Sequence, residues 1–310
     1  IHPKDKDKTL AIDYREKAPA SAHRDLFLDE NGDYDRKKAQ FSLLSAGVPG
    51  SVAGFYYALT NYGTLSWQEV LRPSIKLAEE GFEIPHDLAN TLASKRYRER
   101  LSSDPAASKV FYKKDGSLYK EGEILIQKDL ASTLKKISQF GPDAFYRGDI
   151  AKLIAQEMQL NGGLITLEDL DNYNIVEREP LVGTYKNHKI VSMPPSSSGG
   201  THLIQMLNML EDFPVKEMGF GSSESIHILA EVMKRAYADR SKYLGDSDFY
   251  KVPSSLTSKD YAKSLNQSIS SDTITPSSEV SPGDPYPFES PDTTHFSVMD
   301  AYGNAVSNTY

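Results

Sequence analysis

The 310-residue chain has the composition of an ordinary globular protein, with 39% hydrophobic and 25% charged residues. Its formal net charge of -8 argues against a general nucleic-acid binder, because neutralising phosphates requires a clustered surplus of Lys and Arg. The lack of cysteine excludes disulfides, zinc-thiolate sites and thiol nucleophiles. No apolar stretch approaches the roughly 18 residues that a membrane-spanning helix needs.

The first fifteen residues predict a β-hairpin. Thr9 to Arg15 partly alternates apolar and polar residues, and a charged, turn-like run from Lys4 to Lys8 precedes it. Ile1 would then belong to the first arm of the hairpin. The later run of Asp and Asn at positions 29 to 35 resembles a calcium loop, but Tyr34 stands where an EF-hand requires Gly. We therefore interpret it as a polar hairpin tip and predict no metal.

Helical spacing of apolar residues predicts most of the following elements. A helix over residues 52–62 is stopped by Gly63, and Ser66 with Glu69 forms the pattern of a capping box that begins a second, antiparallel helix closed by Gly81. Further helices are indicated by apolar spacing or a start signal at these positions: Leu130, Leu134 and Ile137; Phe145 to Met158; Thr166-Leu167-Glu168-Asp169; and Ile226, Leu229, Met233 and Tyr237.

The β-structure of the middle of the chain is predicted around a turn at Lys186-Asn187, which is flanked by strand-like residues 174–185 and 188–193. Strands and helices come in mixed blocks without strict βαβ alternation, which favours an α+β layered fold over a doubly wound parallel sheet. Pro194 to Gly200 lacks the Gly-Lys-Ser/Thr ending of a phosphate loop, so we interpret it as a structural turn.

The last forty residues contain a connector and a hairpin. Residues 270–292 are rich in Ser, Pro and Asp, which predicts an extended, exposed segment that could link domains or deliver a bond for cleavage. Thr293 to Asp300 alternates as a strand, turn residues follow, and Ala305 to Tyr310 begins a return strand. By itself this hairpin implies no chemistry, because a β-branched residue such as Thr293 is common at strand starts.

The hairpin also carries a family signature. At matching spacings it resembles the signature of the γ-glutamyltranspeptidases in Thr293-Thr294-His295, Ser297-Val298, Gly303-Asn304, Val306-Ser307 and Thr309. Blocks elsewhere resemble the same family in the same order: Ala11-Ile12-Asp13-Tyr14-Arg15-Glu16, Asn161-Gly162-Gly163-Leu164-Ile165-Thr166, Met193-Pro194-Pro195-Ser196-Ser197-Ser198-Gly199-Gly200, Tyr237-Ala238-Asp239-Arg240-Ser241 and Tyr243-Leu244-Gly245. The resemblance therefore covers essentially the whole chain.

The resemblance implies an N-terminal-nucleophile hydrolase with a four-layer αββα sandwich, incomplete in this chain. It also implies a precursor that cuts itself between Asp292 and Thr293, after which Thr293 is the nucleophile and its new α-amine is the base. An α-amine has a pKa of about 7.7 to 8.0 and is partly neutral at pH 7, unlike an unperturbed Lys. No cofactor is implied. His295, which alternation places on the same sheet face as Thr293, is interpreted as structural.

By the same resemblance, the activity is transfer or hydrolysis of γ-glutamyl amides such as glutathione, with amino acids, peptides or water as acceptors. Arg15 matches the family arginine that binds the α-carboxylate of the glutamyl group, and a guanidinium suits this role because it can form two parallel hydrogen bonds. Taken alone, Arg15 is an exposed arginine at a strand end. The alternatives are a cephalosporin-acylase-like amidase, which Arg15 disfavours, and a non-catalytic, unprocessed member.

The resemblance also predicts how the chain is organised. Residues 1–292 would form most of the large-subunit region, with 270–292 as the connector to the processing site. Residues 293–310 would form the first hairpin of the small-subunit region, and all would belong to one structural domain. Family features before Ile1 and after Tyr310 are missing, so we expect an internal part of a precursor that does not turn over substrate as it stands. The expected location is periplasmic or extracellular.

Overall fold

The computed structural model describes residues 1–4 and 8–284, together with the backbone of the strands His295–Met299 and Ala305–Thr309. The chain divides into two compact units. We call Tyr14–Ile175 the continuous unit, and Ile1–Asp13 with Val176–Tyr310 the discontinuous unit. The single structural domain expected from the sequence stays a prediction. Across the described residues, no helix combines the length and the apolar character needed to cross a bilayer.

The continuous unit is mainly helical, and its two short strands pair antiparallel. Its elements are α1 (Arg36–Phe41), α2 (Ser51–Tyr62), α3 (Trp67–Glu80), β2 (Phe82–Glu83), α4 (His86–Ala93), α5 (Lys95–Ser103), α6 (Pro105–Phe111), β3 (Ile124–Leu125), α7 (Lys128–Phe140), α8 (Asp143–Tyr146), α9 (Asp149–Leu160) and α10 (Leu167–Asp171). A buried cluster that includes Val48, Tyr146, Leu170 and Tyr173 forms much of its core.

Local signals in the continuous unit are largely confirmed. Helix α2 ends before Gly63, and α3 begins with the predicted capping box, in which Ser66 and Glu69 cap each other's backbone N–H groups. Helix α10 begins in the same way at Thr166. The side-chain N–H of Trp67 donates to the carbonyl of Ile137 at 2.9 Å, so α3 is fixed to α7.

The single helix predicted from Phe145 to Met158 is wrong. The structure has two helices, α8 and α9, separated at Arg147 and Gly148. Gly148 has an extended backbone and forms the N-cap of α9. The guanidinium of Arg147 binds the carboxylates of Asp143 and Asp171, which ties the break between the helices to α10. Apolar spacing continues across such a break because both helices bury one face in the same core.

The discontinuous unit mixes helices with antiparallel strand pairs, and this confirms the mixed α+β class. Its elements are β1 (Ala11–Asp13), β4 (Val176–Arg178), β5 (Leu181–Tyr185), β6 (His188–Ser192), α11 (Ser198–Leu210), α12 (Val215–Met218), α13 (Ser223–Tyr243), α14 (Lys259–Asn266), β7 (His295–Met299) and β8 (Ala305–Thr309). The pairs are β1 with β4, β5 with β6, and β7 with β8. The predicted turn between β5 and β6 is confirmed, with Lys186 in the left-handed region at φ 50°.

The pairing of the two arms predicted at the start of the chain is also confirmed, while residues 5–7 of the predicted turn lie outside the described residues. Ile1 and Leu10 exchange two backbone hydrogen bonds of 2.8 and 2.9 Å. Strand β1, however, has a second partner that the sequence pattern did not indicate. It pairs with β4 in a register that sets Ala11 opposite Arg178 and Asp13 opposite Val176. This pairing joins the two chain segments of the discontinuous unit.

Helix α13 is confirmed, but its buried face differs from the predicted apolar stripe. The residues that predicted it are exposed, with Ile226 at 57% and Tyr237 at 53%. Its buried face combines Ile228 and Val232, which pack against α11 and α14, with the charged residues Glu231, Arg235 and Asp239. The described part of the connector, residues 270–284, is mostly exposed and contains one short 3-10 turn at Ser277–Glu279.

Candidate active site

The sequence predicts two site residues, Arg15 and Thr293. Thr293 and the preceding Asp292 lie outside the described residues. Strand β7 begins two residues after Thr293 and pairs with β8 in a regular antiparallel register, with Ser297 opposite Ser307. The structure therefore describes Arg15 in the continuous unit and, separately, the part of the discontinuous unit that precedes Thr293 in the chain.

The chain just after Arg15 is held by the loop that precedes α2. The N–H of Lys17 donates to the carbonyl of Val48 at 3.2 Å, and the N–H of Val48 donates back at 2.7 Å. The hydroxyl of Tyr173 donates to the carbonyl of Arg15 at 2.9 Å. Backbone bonds at Lys17 and a side-chain bond at Arg15 itself therefore fix this segment of the chain.

Gly50 makes this close approach possible. A β-carbon at this position would lie 1.9 Å from the carbonyl oxygen of Tyr14 and 2.0 Å from the hydroxyl oxygen of Tyr173. Both separations are far below van der Waals contact, so any side chain would push the loop away from the Arg15 segment. The glycine is required by packing here rather than by backbone conformation, since its φ is -107°.

Two tyrosines support this loop from the core. The rings of Tyr146 and Tyr173 stack with centroids 5.6 Å apart. The Tyr146 hydroxyl donates to the carbonyl of Pro49 at 2.8 Å and accepts from the N–H of Ala53 at 3.3 Å. Burial raises the pKa of Tyr146 to about 12, so the hydroxyl keeps its proton and remains a donor at neutral pH.

The guanidinium of Arg15 is accessible. Its side chain is 48% exposed, and its Nε lies 3.5 Å from a carboxylate oxygen of Glu16. A guanidinium carries five N–H donors in a planar fork, so one side chain can bind a neighbouring carboxylate and a second carboxylate from a ligand. A rigid backbone with an exposed cationic head is a suitable arrangement for binding a small anionic group.

A second network, which the sequence interpretation missed, lies in the discontinuous unit. Arg178 donates from Nε to Asp13 at 2.7 Å and from its two terminal nitrogens to Asp248 at 2.7 and 2.9 Å. The hydrogen bonds that Arg178 donates to Asp248, followed by its bond to Asp13, raise the pKa of Arg178 despite its partial burial. Arg178 and Asp13 lie at opposite ends of the antiparallel β1–β4 pair, so their ion pair runs diagonally across it, and the bonds to Asp248 tie β4 to the loop that carries this residue. No local motif marks this network, because its members are far apart in sequence.

The segment from Pro194 to Gly200 leads into α11, and its last three residues are the first residues of that helix. Ser197 caps the helix by accepting from the N–H of Gly199 at 3.3 Å. A β-carbon on Gly200 would lie 2.0 Å from the carbonyl oxygen of Met193, so this glycine is needed for the helix to approach β6. The hydroxyl of Ser247 donates to the carbonyl of Pro195 at 2.9 Å and joins the turn to the loop that carries Asp248.

The family is decided by comparison of the whole chain with known proteins. Residues 1–310 match the family model described as gamma-glutamyltranspeptidase. The chain belongs to the γ-glutamyltranspeptidase family. The resemblance noted in the sequence is thereby confirmed.

Similar proteins support this assignment in sequence and in structure. The chain is 51% identical over 303 residues to the glutathione hydrolase proenzyme of Escherichia coli strain K12, covering 97% of this chain and 52% of that protein. The crystal structure of the γ-glutamyltranspeptidase of Helicobacter pylori superimposes with a TM-score of 0.85 at 48% identity, covering 89% of this chain and 79% of that one. The chain thus spans about half the length of its E. coli relative.

One of the proteins similar in sequence has a different name. The Acylase ACY 1 proenzyme of Pseudomonas sp. strain V22 is 38% identical over 308 residues, covering 97% of this chain and 54% of that protein. The relatives of this chain therefore include a protein named as an acylase. Within the described ranges, no three His, Asp or Glu side chains lie close enough together to hold a metal ion.

Proposed function

We propose that the whole protein is an autoprocessing γ-glutamyltransferase and hydrolase that acts on γ-glutamyl amides such as glutathione. The observation that carries the proposal is the match of residues 1–310 to the family model. Identity of 51% to a glutathione hydrolase proenzyme and the TM-score of 0.85 to a γ-glutamyltranspeptidase support it. The whole protein would have the four-layer αββα sandwich, large and small subunits cut from one precursor, and a periplasmic or extracellular location.

The precursor would cut itself between Asp292 and Thr293. The Thr293 hydroxyl oxygen attacks the Asp292 carbonyl carbon, the C–N bond breaks, and the hydroxyl proton passes to the departing nitrogen. The resulting ester is then hydrolysed by water, which leaves a carboxylate on Asp292 and frees both the hydroxyl and the α-amine of Thr293. One cleavage therefore creates a nucleophile and a base on the same residue.

In the mature enzyme, the α-amine of Thr293 would accept the hydroxyl proton as the oxygen attacks the γ-glutamyl amide carbon. The proton passes to the leaving amine, and a γ-glutamyl-threonine ester remains. An amino acid, a peptide or water then attacks the ester and releases Thr293. An α-amine with a pKa of about 7.7 to 8.0 is suited to this work, because a catalytic base is most efficient when its pKa lies near the working pH.

Arg15 would bind the α-carboxylate of the glutamyl group. Its accessible guanidinium and the fixed backbone beneath it support this role, because binding energy is lost when the binding group must first be ordered. The neighbouring Glu16 would compete for the same guanidinium when the site is empty. The ligand carboxylate would then add to the ion pair or replace it.

The test uses the full-length precursor with Thr293→Ala and, as a matched control, Thr294→Ala. Denaturing gels should display one uncut polypeptide for Thr293→Ala and two subunits for the wild type and the control. The wild type should also release the chromophore from a chromogenic γ-glutamyl anilide. Two subunit bands from Thr293→Ala would overturn the assignment of the nucleophile.

A second candidate is an amidase with the same nucleophile and a different acyl group, as the acylase relative at 38% identity suggests. Cleavage of the precursor without release from the γ-glutamyl anilide would favour this candidate. The absence of both reactions would favour a non-catalytic member. The presence of Arg15 supports the γ-glutamyl substrate, because an acyl group without an α-carboxylate has no need of a guanidinium there.

A further inference from the structure

The buried face of α13 carries charged residues at helical spacing. Glu231, Arg235 and Asp239 follow one another at intervals of four and are 1%, 3% and 0% exposed. Charged side chains are almost never buried to this extent unless they are paired. Many of their partners come from residues 268–283, the segment that leads towards the processing site.

The first part of this segment is fixed by Glu231 and its neighbours. Glu231 accepts from the N–H of Thr275 at 3.0 Å, and the ammonium of Lys234 donates to the carbonyl of Thr275 at 2.5 Å. Arg235 donates to the hydroxyl and the carbonyl of Ser268 at 2.6 and 2.5 Å. These bonds hold the backbone at Ser268 and Thr275.

The second part is fixed at Gly283. Asp239 accepts from the N–H of Gly283 at 2.9 Å, and the hydroxyl of Tyr243 donates to the carbonyl of Gly283. The other oxygen of Asp239 accepts from the hydroxyl of Tyr261 at 2.8 Å and from the side-chain amide of Gln205. Both backbone polar groups of Gly283 are therefore bound by two side chains of α13.

We propose that Asp239 and Tyr243 are positioning residues for self-cleavage, because they hold Gly283 and thereby limit where the bond between Asp292 and Thr293 can lie. This inference rests on the proposed function. Asp292 lies nine positions after Gly283, and nine residue-to-residue steps span at most about 30 to 32 Å. If Gly283 were released, Thr275 would become the nearest described anchor, and the reach would increase to about 56 to 61 Å.

A longer tether lowers the effective concentration of the scissile bond at its reactive position, roughly as the −3/2 power of the tether length. Neither Asp239 nor Tyr243 needs to touch the reacting atoms for this effect. A glycine at 283 permits the tight attachment, because a β-carbon there would lie 2.2 Å from the hydroxyl oxygen of Tyr261.

The test compares Tyr243→Phe with Tyr261→Phe in the full-length precursor. Each variant loses one hydroxyl from the same cluster, but only Tyr243→Phe loses a bond to Gly283. Subunit appearance is followed with time on denaturing gels, and folding is checked by thermal melting. We expect self-cleavage to slow at least about 2- to 3-fold in Tyr243→Phe, which is the loss of effective concentration expected when the tether grows from nine to seventeen steps, and to stay within about 1.5-fold of wild type in Tyr261→Phe. Turnover of a γ-glutamyl anilide per cleaved molecule should be the same in both.

A second pair of variants keeps the inference testable if Tyr243→Phe folds poorly. Asp239→Asn retains an oxygen that can accept from Gly283, whereas Asp239→Ala does not, so cleavage should be slower in Asp239→Ala. Equal rates for these two variants, or equal slowing in the two tyrosine variants, would overturn the positioning role. A wild-type precursor that is not cut before Thr293 would instead refute the proposed function.

Discussion

The hydroxyl of Tyr173 donates a hydrogen bond of 2.9 Å to the backbone carbonyl of Arg15, although the two residues are 158 positions apart in the chain. Tyr173 is itself buried and stacked on Tyr146. The backbone of the residue proposed to bind the donor carboxylate is thus fixed by a side chain from the end of the continuous unit. Preorganisation of this kind lowers the entropy cost of binding a small ligand.

Tyr173→Phe should weaken donor binding while leaving the chemical step nearly unchanged. The ring and its stacking remain, but the bond to Arg15 is lost, which costs about 0.5 to 1.5 kcal/mol. We expect KM for a γ-glutamyl anilide to rise roughly 2- to 10-fold, with a smaller change in kcat. Tyr146→Phe is the matched control, because its hydroxyl binds Pro49 and Ala53 rather than Arg15. An equal rise in KM in both variants would indicate a general loosening of the loop.

Arg15→Lys should raise the donor KM at least roughly 10-fold, because an ammonium keeps the charge but cannot form two parallel bonds to a carboxylate. Hydrolysis of the preformed γ-glutamyl ester, measured in a single turnover, should be much less affected. Arg24→Lys provides a control at an exposed arginine of the same unit. A donor requirement that is unchanged in Arg15→Lys would remove Arg15 from the site.

Gly50→Ala should destabilise the protein by about 2 to 3 kcal/mol, as expected for overpacking a site that cannot expand. The added methyl group would meet the Tyr14 carbonyl and the Tyr173 hydroxyl at about 2 Å. Gly199→Ala is the control, since its β-carbon would meet only the Ser197 hydroxyl oxygen, at 3.5 Å. The free energies of unfolding of the two variants, measured with urea, should differ clearly. Equal free energies of unfolding would contradict the close packing at Gly50.

Much of the local structure follows from the sequence because its causes are local. The capping box of Ser66 and Glu69 and the turn at Lys186-Asn187 each depend on residues a few positions apart. The role predicted for Arg15 also rests on a contiguous block, Ala11 to Glu16, and stays a prediction. The break at Gly148 was missed because residues on both sides share one apolar spacing.

The remaining features depend on partners that are distant in sequence. The pairing of β1 with β4 and the ion pairs of Arg178 with Asp13 and Asp248 have no local signal. Helix α13 illustrates the difficulty best. Apolar spacing located the helix but indicated the wrong face, because the charged residues on its buried face are stabilised by the backbone of residues 268–283.

The buried carboxylate of Glu231 should make stability depend on pH in the acid range. Burial alone would raise its pKa, but hydrogen bonds from Lys234, Arg235 and Thr275 outweigh this effect and lower the pKa from 4.5 to about 2. A carboxyl whose pKa is lower in the folded state stabilises the fold above pH 4.5. This contribution is lost as the pH falls from about 4.5 towards 2, at no more than about 1.4 kcal/mol per pH unit.

Glu231→Gln tests this relationship in a Thr293→Ala background, which is expected to keep the precursor as one chain. At pH 7 the variant should be less stable by about 3 to 5 kcal/mol, because Arg235 loses its buried partner. The difference in the free energy of unfolding between the variant and the parent should shrink from pH 4.5 to 2, because the Glu231 carboxylate of the parent becomes protonated in this range. Glu224→Gln, at an exposed position of the same helix, should leave the pH dependence of the parent unchanged. Urea unfolding at several pH values measures the free energy of unfolding of the parent and of both variants. A difference between the parent and Glu231→Gln that stays constant with pH would mean that Glu231 does not titrate in this range.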